Sequence, residues 1–152
     1  HRSPLAVERY SAGFRIPLLT SSSGRVYLAF APTAQRDSLL EILSRSTREE
    51  DKMARNRAEV TKLLTEAKQQ GYASAVRPRR VSDEISMAVP ILVDDRVLAS
   101  VTIRFSGTAV PLKMAVERFL PKLRETAQKI RQSFIEQQRD PPHHHHRTAP
   151  AR

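Results

Sequence analysis

Residues 84–92 read Glu84-Ile85-Ser86-Met87-Ala88-Val89-Pro90-Ile91-Leu92, and residues 97–105 read Val97-Leu98-Ala99-Ser100-Val101-Thr102-Ile103-Arg104-Phe105, with Asp94 and Asp95 between them. Successive side chains of a β-strand point to opposite faces of a sheet. In the first stretch the odd positions Ile85, Met87, Val89 and Ile91 are all apolar, and in the second so are Val97, Ala99, Val101, Ile103 and Phe105. Two alternating runs joined by a short acidic turn predict a β-hairpin with one buried face. The opposite face carries Glu84, Ser86, Ala88, Ser100, Thr102 and Arg104. The two polar faces align only if the turn has an odd residue count, which the sequence leaves open. Antiparallel sheets often leave one face in water, but such a face usually displays Lys, Glu and Gln. Small hydroxyls and a single guanidinium instead favour a covered cavity, with Arg104 as a two-pronged donor to an anion.

Working back toward the N-terminus, a third strand is expected over about Tyr72–Val76. Before it, Met53, Val60, Leu63, Leu64 and Ala67 recur at helical spacing, behind a Thr47-Arg48-Glu49-Glu50 capping box and ahead of a Gly71 stop. The spacing also predicts a helix from Gln35 to Ser44 that buries Leu39, Leu40, Ile42 and Leu43. Another is expected from about Ser23 to Phe30, opened by the polar Thr20–Gly24 segment and ended by Pro32. Phe14–Leu18 alternates and reads as an edge strand, where Pro17 is tolerated. Past the hairpin, Val116, Leu120, Leu123, Ala127, Ile130 and Phe134 repeat at three and four. Pro121 predicts a break there, giving a short helix and a long one. The pattern is α+β with an antiparallel sheet. One domain is expected over 10–138, between a flexible segment 1–9 and a disordered tail 139–152 rich in Pro, His and Arg.

With 152 residues the chain suits a single domain. No apolar run is long enough to span a membrane. The absence of Cys excludes disulfides, thiolate metal sites and a cysteine nucleophile, and agrees with a cytoplasmic location. Its four glycines are scattered, so no glycine-rich phosphate cradle exists. Starting at His1 without an initiator Met, the chain reads as an excised piece of something longer. The net charge is +10, of which Arg139, Arg147 and Arg152 against Asp140 contribute +2. Basic residues are scattered apart from Arg77, Arg79 and Arg80, and aromatics are only 5 %. That argues for an Arg-rich surface over direct nucleic-acid binding, which needs clustered cations or stacking platforms.

Catalysis finds little footing. His occurs only at His1 and His143–His146. The latter run lacks the fixed geometry of a metal site and reads as a low-complexity tail. Neither Asp83–Glu84 nor Asp94–Asp95 forms a same-face dyad, and Ser21–Ser23 lacks a nucleophile elbow and a partner His. No catalytic residue, metal ligand or cofactor is assigned.

Several motifs, taken in order, resemble the IclR (isocitrate lyase regulator) family. They are Thr20-Ser21-Ser22-Ser23-Gly24-Arg25-Val26-Tyr27-Leu28-Ala29-Phe30, Gly71-Tyr72-Ala73, Met87-Ala88-Val89-Pro90-Ile91 and Ala99-Ser100-Val101-Thr102-Ile103. The match is to the C-terminal effector-binding domain over about residues 10–138. The stretch Glu8-Arg9-Tyr10 through Phe30 is similar to MhpR-type activators of phenylpropionate catabolism. The resemblance implies a GAF-like domain with helices packed on both sides of the sheet. It implies ligand contacts at Ser22, Ser23, near Ala75, and at Ser86, Thr102 and Arg104, to which alternation adds Ser100. Two departures from the family pattern, Arg77-Pro78-Arg79-Arg80 and Arg104 itself, favour an anionic ligand. The resemblance further implies a homodimer or tetramer, with DNA bound only through an N-terminal helix-turn-helix domain outside this chain. The expected effector is a small aromatic carboxylate of the hydroxyphenylpropionate kind. The alternative is a GAF-like oligomerisation module without a physiological ligand.

Overall fold

The polar Thr20–Gly24 segment folds as a helix start. In the computed structural model, which describes residues 12–77 and 83–139, α1 spans Ser22–Phe30 with Ser21 as its N-cap. The Ser21 hydroxyl accepts from the Gly24 N–H (3.0 Å) and donates to the Pro17 carbonyl (2.6 Å). That second bond explains why Phe14–Leu18 is no edge strand. Pro17 has no N–H for a ladder, its carbonyl is taken by Ser21, and the chain turns over Leu18–Thr20.

Helix α2 (Thr33–Ser44) buries Leu40, while Ile42 is 67 % exposed, on the opposite side from the expected one. The expected third helix divides. A 3-10 helix runs over Glu49–Arg55, and α3 begins at Arg57 and ends at Gln70. The Thr47 capping box does not form. Asn56 takes its role, accepting from the Glu59 N–H (3.2 Å) and donating back to the Glu59 carboxylate (3.2 Å). Gly71 closes α3 in the left-handed region at φ 79°.

Strands β1 (Ala73–Arg77), β2 (Glu84–Val93) and β3 (Arg96–Ser106) form one antiparallel sheet in that order. The β2–β3 turn is the two-residue Asp94–Asp95 pair, both left-handed (φ 50° and 58°), as in primed hairpin turns. An even turn would set odd positions against even ones. A bulge corrects this: Leu92 pairs with Val97 but Ile91 pairs with Ala99, so Leu98 is the extra residue. From there on Val89 faces Val101, Met87 faces Ile103 and Ile85 faces Phe105.

Helices cover both sides of the sheet. Met87, Val89 and Ile91 pack on Leu120, Leu123 and Ala127 of α4 (Leu112–Arg139). On the other side Ala73 and Ala88 pack among Val26, Leu28 and Ala29 of α1 and Val60 and Leu64 of α3. Helix α4 is continuous through Pro121, contrary to the expected break. Pro121 lies on the exposed face, where water can satisfy the carbonyl it leaves free, while Leu120 and Leu123 hold both halves on one sheet. Ile130 is exposed and not part of the stripe. Arg139, placed in the expected tail, ends the helix. The expected flexible segment 1–9, the rest of the tail with His143–His146, and Arg79 and Arg80 lie outside the described residues.

Candidate functional site

A sheet lined with small side chains leaves room above it, and here that room is a cavity of about 570 Å³. Its floor is the even face of the sheet. Ser86 stands between Ala75 on β1 and Arg104 on β3, directly paired with both, so three of the expected site residues form one row across the strands. The Ser86 hydroxyl donates to the Ala75 carbonyl at 3.4 Å. One row along, Glu84 pairs with Arg77. Its carboxylate is buried, with Oε1 3.6 Å from Arg104 Nη1. Pro17, Thr20 and Ser21 wall the cavity above α1's first turn, and the exposed Phe14 and Ile16 lie along its lining; Val76 borders it from β1, its pairing with Ile85 placing its side chain on the other face. Arg15, Arg77 and Arg104 face it against Glu50 and Glu84, an excess of cation over anion.

The remaining expected residues lie off the lining. Ser22 is buried inside α1. The Ser23 and Thr102 hydroxyls share a 2.9 Å hydrogen bond that fixes α1 on β3. Ser100 sits opposite Pro90, farther along the same face. Sequence reasoning missed Glu84 and Ser21 as cavity residues, although both lay in stretches it had singled out. Glu84 shares the even face with Ser86, and Ser21 belongs to the same polar run as Ser22 and Ser23. It also missed Arg25. This guanidinium donates from Nε to the Leu19 carbonyl and from Nη1 to the Ser74 carbonyl, each at 2.7 Å. Burial pulls its pKa below the usual arginine range, while both bonds favour the charged form. Gly24 is required next to this wall: a Cβ there would meet the Leu18 backbone and lie 2.6 Å from the Pro17 carbonyl.

Among the described residues no group of three or more His, Asp or Glu could hold a metal ion, and no helix is long and apolar enough to cross a membrane. The arrangement can hold a small anion with an apolar body: a cation and a hydroxyl on the floor, apolar side chains at the mouth.

Comparison with known proteins agrees in fold and family. The solved IclR family transcriptional regulator from Brucella abortus matches at 22 % identity and a TM-score of 0.67, over 84 % of this chain and 48 % of its own. The Thermotoga maritima IclR matches at 20 % and 0.68, over 84 % and 51 %. This chain therefore spans about half the length of those proteins. The inducer-binding domain of a PobR double mutant from Acinetobacter, solved with 3-hydroxybenzoic acid, matches at 23 % and 0.63, over 86 % and 76 %. The sequence profile described as "Bacterial transcriptional regulator IclR C-terminal" matches residues 3–132, which is most of the chain. That family comprises transcription factors and not enzymes. With the motifs, the sheet and the profile in agreement, the chain belongs to the IclR family of bacterial transcriptional regulators, as a C-terminal domain of that family.

Proposed function

We propose that this chain is the ligand-sensing domain of an IclR-type regulator and that its effector is a small aromatic carboxylate. Arg104 receives the carboxylate and the Ser86 hydroxyl adds a hydrogen bond, while Ser21 shapes the wall. The ring lies against Pro17, Phe14 and Ile16. Ser22, Ser23 and Thr102 act by position: the Ser23–Thr102 bond holds α1 over the floor. Ser100 is left without a ligand contact. The observation that carries this proposal is the meeting of Ala75, Ser86 and Arg104 in one cavity of about 570 Å³. The Acinetobacter inducer-binding domain, with the same fold and 3-hydroxybenzoic acid bound, supports an aromatic acid as the ligand class. The likeness of residues 8–30 to MhpR-type activators supports a phenylpropionate-like acid.

Ser21 contacts the cavity and caps α1, so an occupied cavity bears on that helix. Ligand occupancy then reaches an N-terminal helix-turn-helix domain, outside this chain, through the packing of a dimer or tetramer in the cytoplasm. The coupling cannot exceed the ligand's difference in affinity between the two states. Isothermal calorimetry with a panel of aromatic acids tests the site. A charge-assisted hydrogen bond contributes roughly 1.5–3 kcal/mol, so Arg104→Ala weakens binding by about ten- to a hundredfold. Unchanged affinity in that variant removes Arg104 from the site. Failure of every acid to bind leaves the oligomerisation module as the function.

A further inference from the structure

Strand β1 begins at Ala73, opposite Ala88, so the end of β2 from Val89 to Leu92 runs on past it. Beside that stretch a second, shallower hollow of about 370 Å³ opens between β2 and α4. It shares no lining residue with the effector cavity, and no Asp or Glu lines it. Arg124, Ala127, Gln128 and Arg131 line it from α4. Residues three, four and seven apart fall on one stripe of a helix. Seven residues make two turns, which places the two arginine Cα atoms about 10 Å apart along the axis. Between them the methyl of Ala127 and the side chains of Val89 and Ile91 form an apolar floor.

Each guanidinium is held in place by a backbone carbonyl. Arg124 donates from Nη2 to Gln70 at the end of α3, and Arg131 from Nε to Leu92 near the end of β2, both at 2.8 Å. One carbonyl occupies only part of a five-donor fork, and neither arginine has an acidic partner among the described residues. We propose that this hollow is a second ligand site, one that takes a linear dicarboxylate with an apolar spacer. An anion at each end and hydrocarbon between them match the lining along its length. An extended chain covers roughly 3.5 Å per three bonds, so octanedioate spans about 8 Å between its carboxyl carbons and reaches both guanidiniums. A monoacid engages one guanidinium and leaves the other in water, and a short diacid does not cross the floor. The strand edge itself is a poor template for an added peptide: Pro90 has no N–H, and the Leu92 carbonyl already accepts from Arg131.

Calorimetry at low ionic strength, where exposed charges are least screened, compares octanedioate, octanoate and butanedioate. The wild-type chain binds octanedioate about tenfold or more tightly than either of the others. Arg124→Gln and Arg131→Gln each bring octanedioate within about threefold of octanoate. Gln128→Glu, an exposed change that sets a like charge between the two guanidiniums, weakens octanedioate by about fivefold. The proposal is overturned if octanedioate does not bind, or if octanoate binds as tightly. An octanedioate affinity that survives all three substitutions also overturns it, because the diacid then sits elsewhere, the effector cavity included. None of these results bears on whether an aromatic acid occupies the cavity at Arg104. Should the arginine variants not fold, the wild-type ranking and the Gln128→Glu response decide the matter by themselves.

Discussion

Arg25 shows how much one side chain can organise. Its two bonds, to Leu19 in the turn above the cavity and to Ser74 beside Ala75 on the floor, tie wall and floor together from outside the lining. Arg25→Met keeps the apolar stem and loses both bonds. Hydrogen bonds to charged groups contribute about 1.5–3 kcal/mol each, less where partly solvated, so the variant loses about 2 kcal/mol of stability, read from the urea midpoint at constant slope. Its affinity for an aromatic acid falls as well, although Arg25 touches no ligand, because the wall it anchors carries Ser21. Lysine does not restore the pair of bonds, since a single ammonium cannot replace the fork. Nothing in the sequence announced this role: Arg25 and Ser74 are far apart in the chain, and no periodicity links a helix residue to one particular carbonyl. Glu84 and Arg104, by contrast, were each legible as lying on the polar side of an alternating strand, but that the two sides coincide follows from the bulge, which alternation does not reveal.

At the level of elements, the hairpin and the helices differ in how openly they are written. The alternation in β2 and β3 was clear because every second residue is apolar over their whole length. The region before α3 offered two competing starts, and tertiary packing chose between them. Burial of Ala54 and Asp51 winds residues 49–55 into a tighter 3-10 turn, and the true N-cap falls at Asn56. Two variants distinguish these starts. Asn56→Ala costs about 1 kcal/mol, the usual loss for an N-cap, whereas Thr47→Ala stays within about 0.5 kcal/mol; thermal denaturation of the two proteins reads both values. Pro121 misled for a related reason. The penalty for proline inside a helix is real, but it is local, and the apolar stripe of α4 against the sheet outweighs it. Phe14–Leu18 misled because a short alternating run looks the same whether or not an open ladder awaits it.

For the whole molecule, two apolar cores lie back to back across three strands, one under α1 and α3 and the other under α4. The floor of the cavity came from the sequence, and its walls did not, since the path of residues 14–21 follows from a proline carbonyl and a serine hydroxyl and from no repeating pattern. A ligand that binds the folded state alone stabilises all of it. At a hundredfold excess over Kd the gain is about 2.7 kcal/mol. In a domain of this size that corresponds to a rise in Tm of about 5–10 °C, increasing with ligand concentration and cut to about half or less in Arg104→Ala at the same concentration. Differential scanning fluorimetry measures it directly.

The bulge at Leu98 sets a parity rule for relatives that share this architecture. An odd number of residues must separate Ile91 from its partner Ala99, because an even count would turn the guanidinium of Arg104 toward α4 and the ring of Phe105 toward the hollow. Loop insertions between these strands are therefore tolerated in twos, and a lone insertion must be cancelled by a second irregularity nearby.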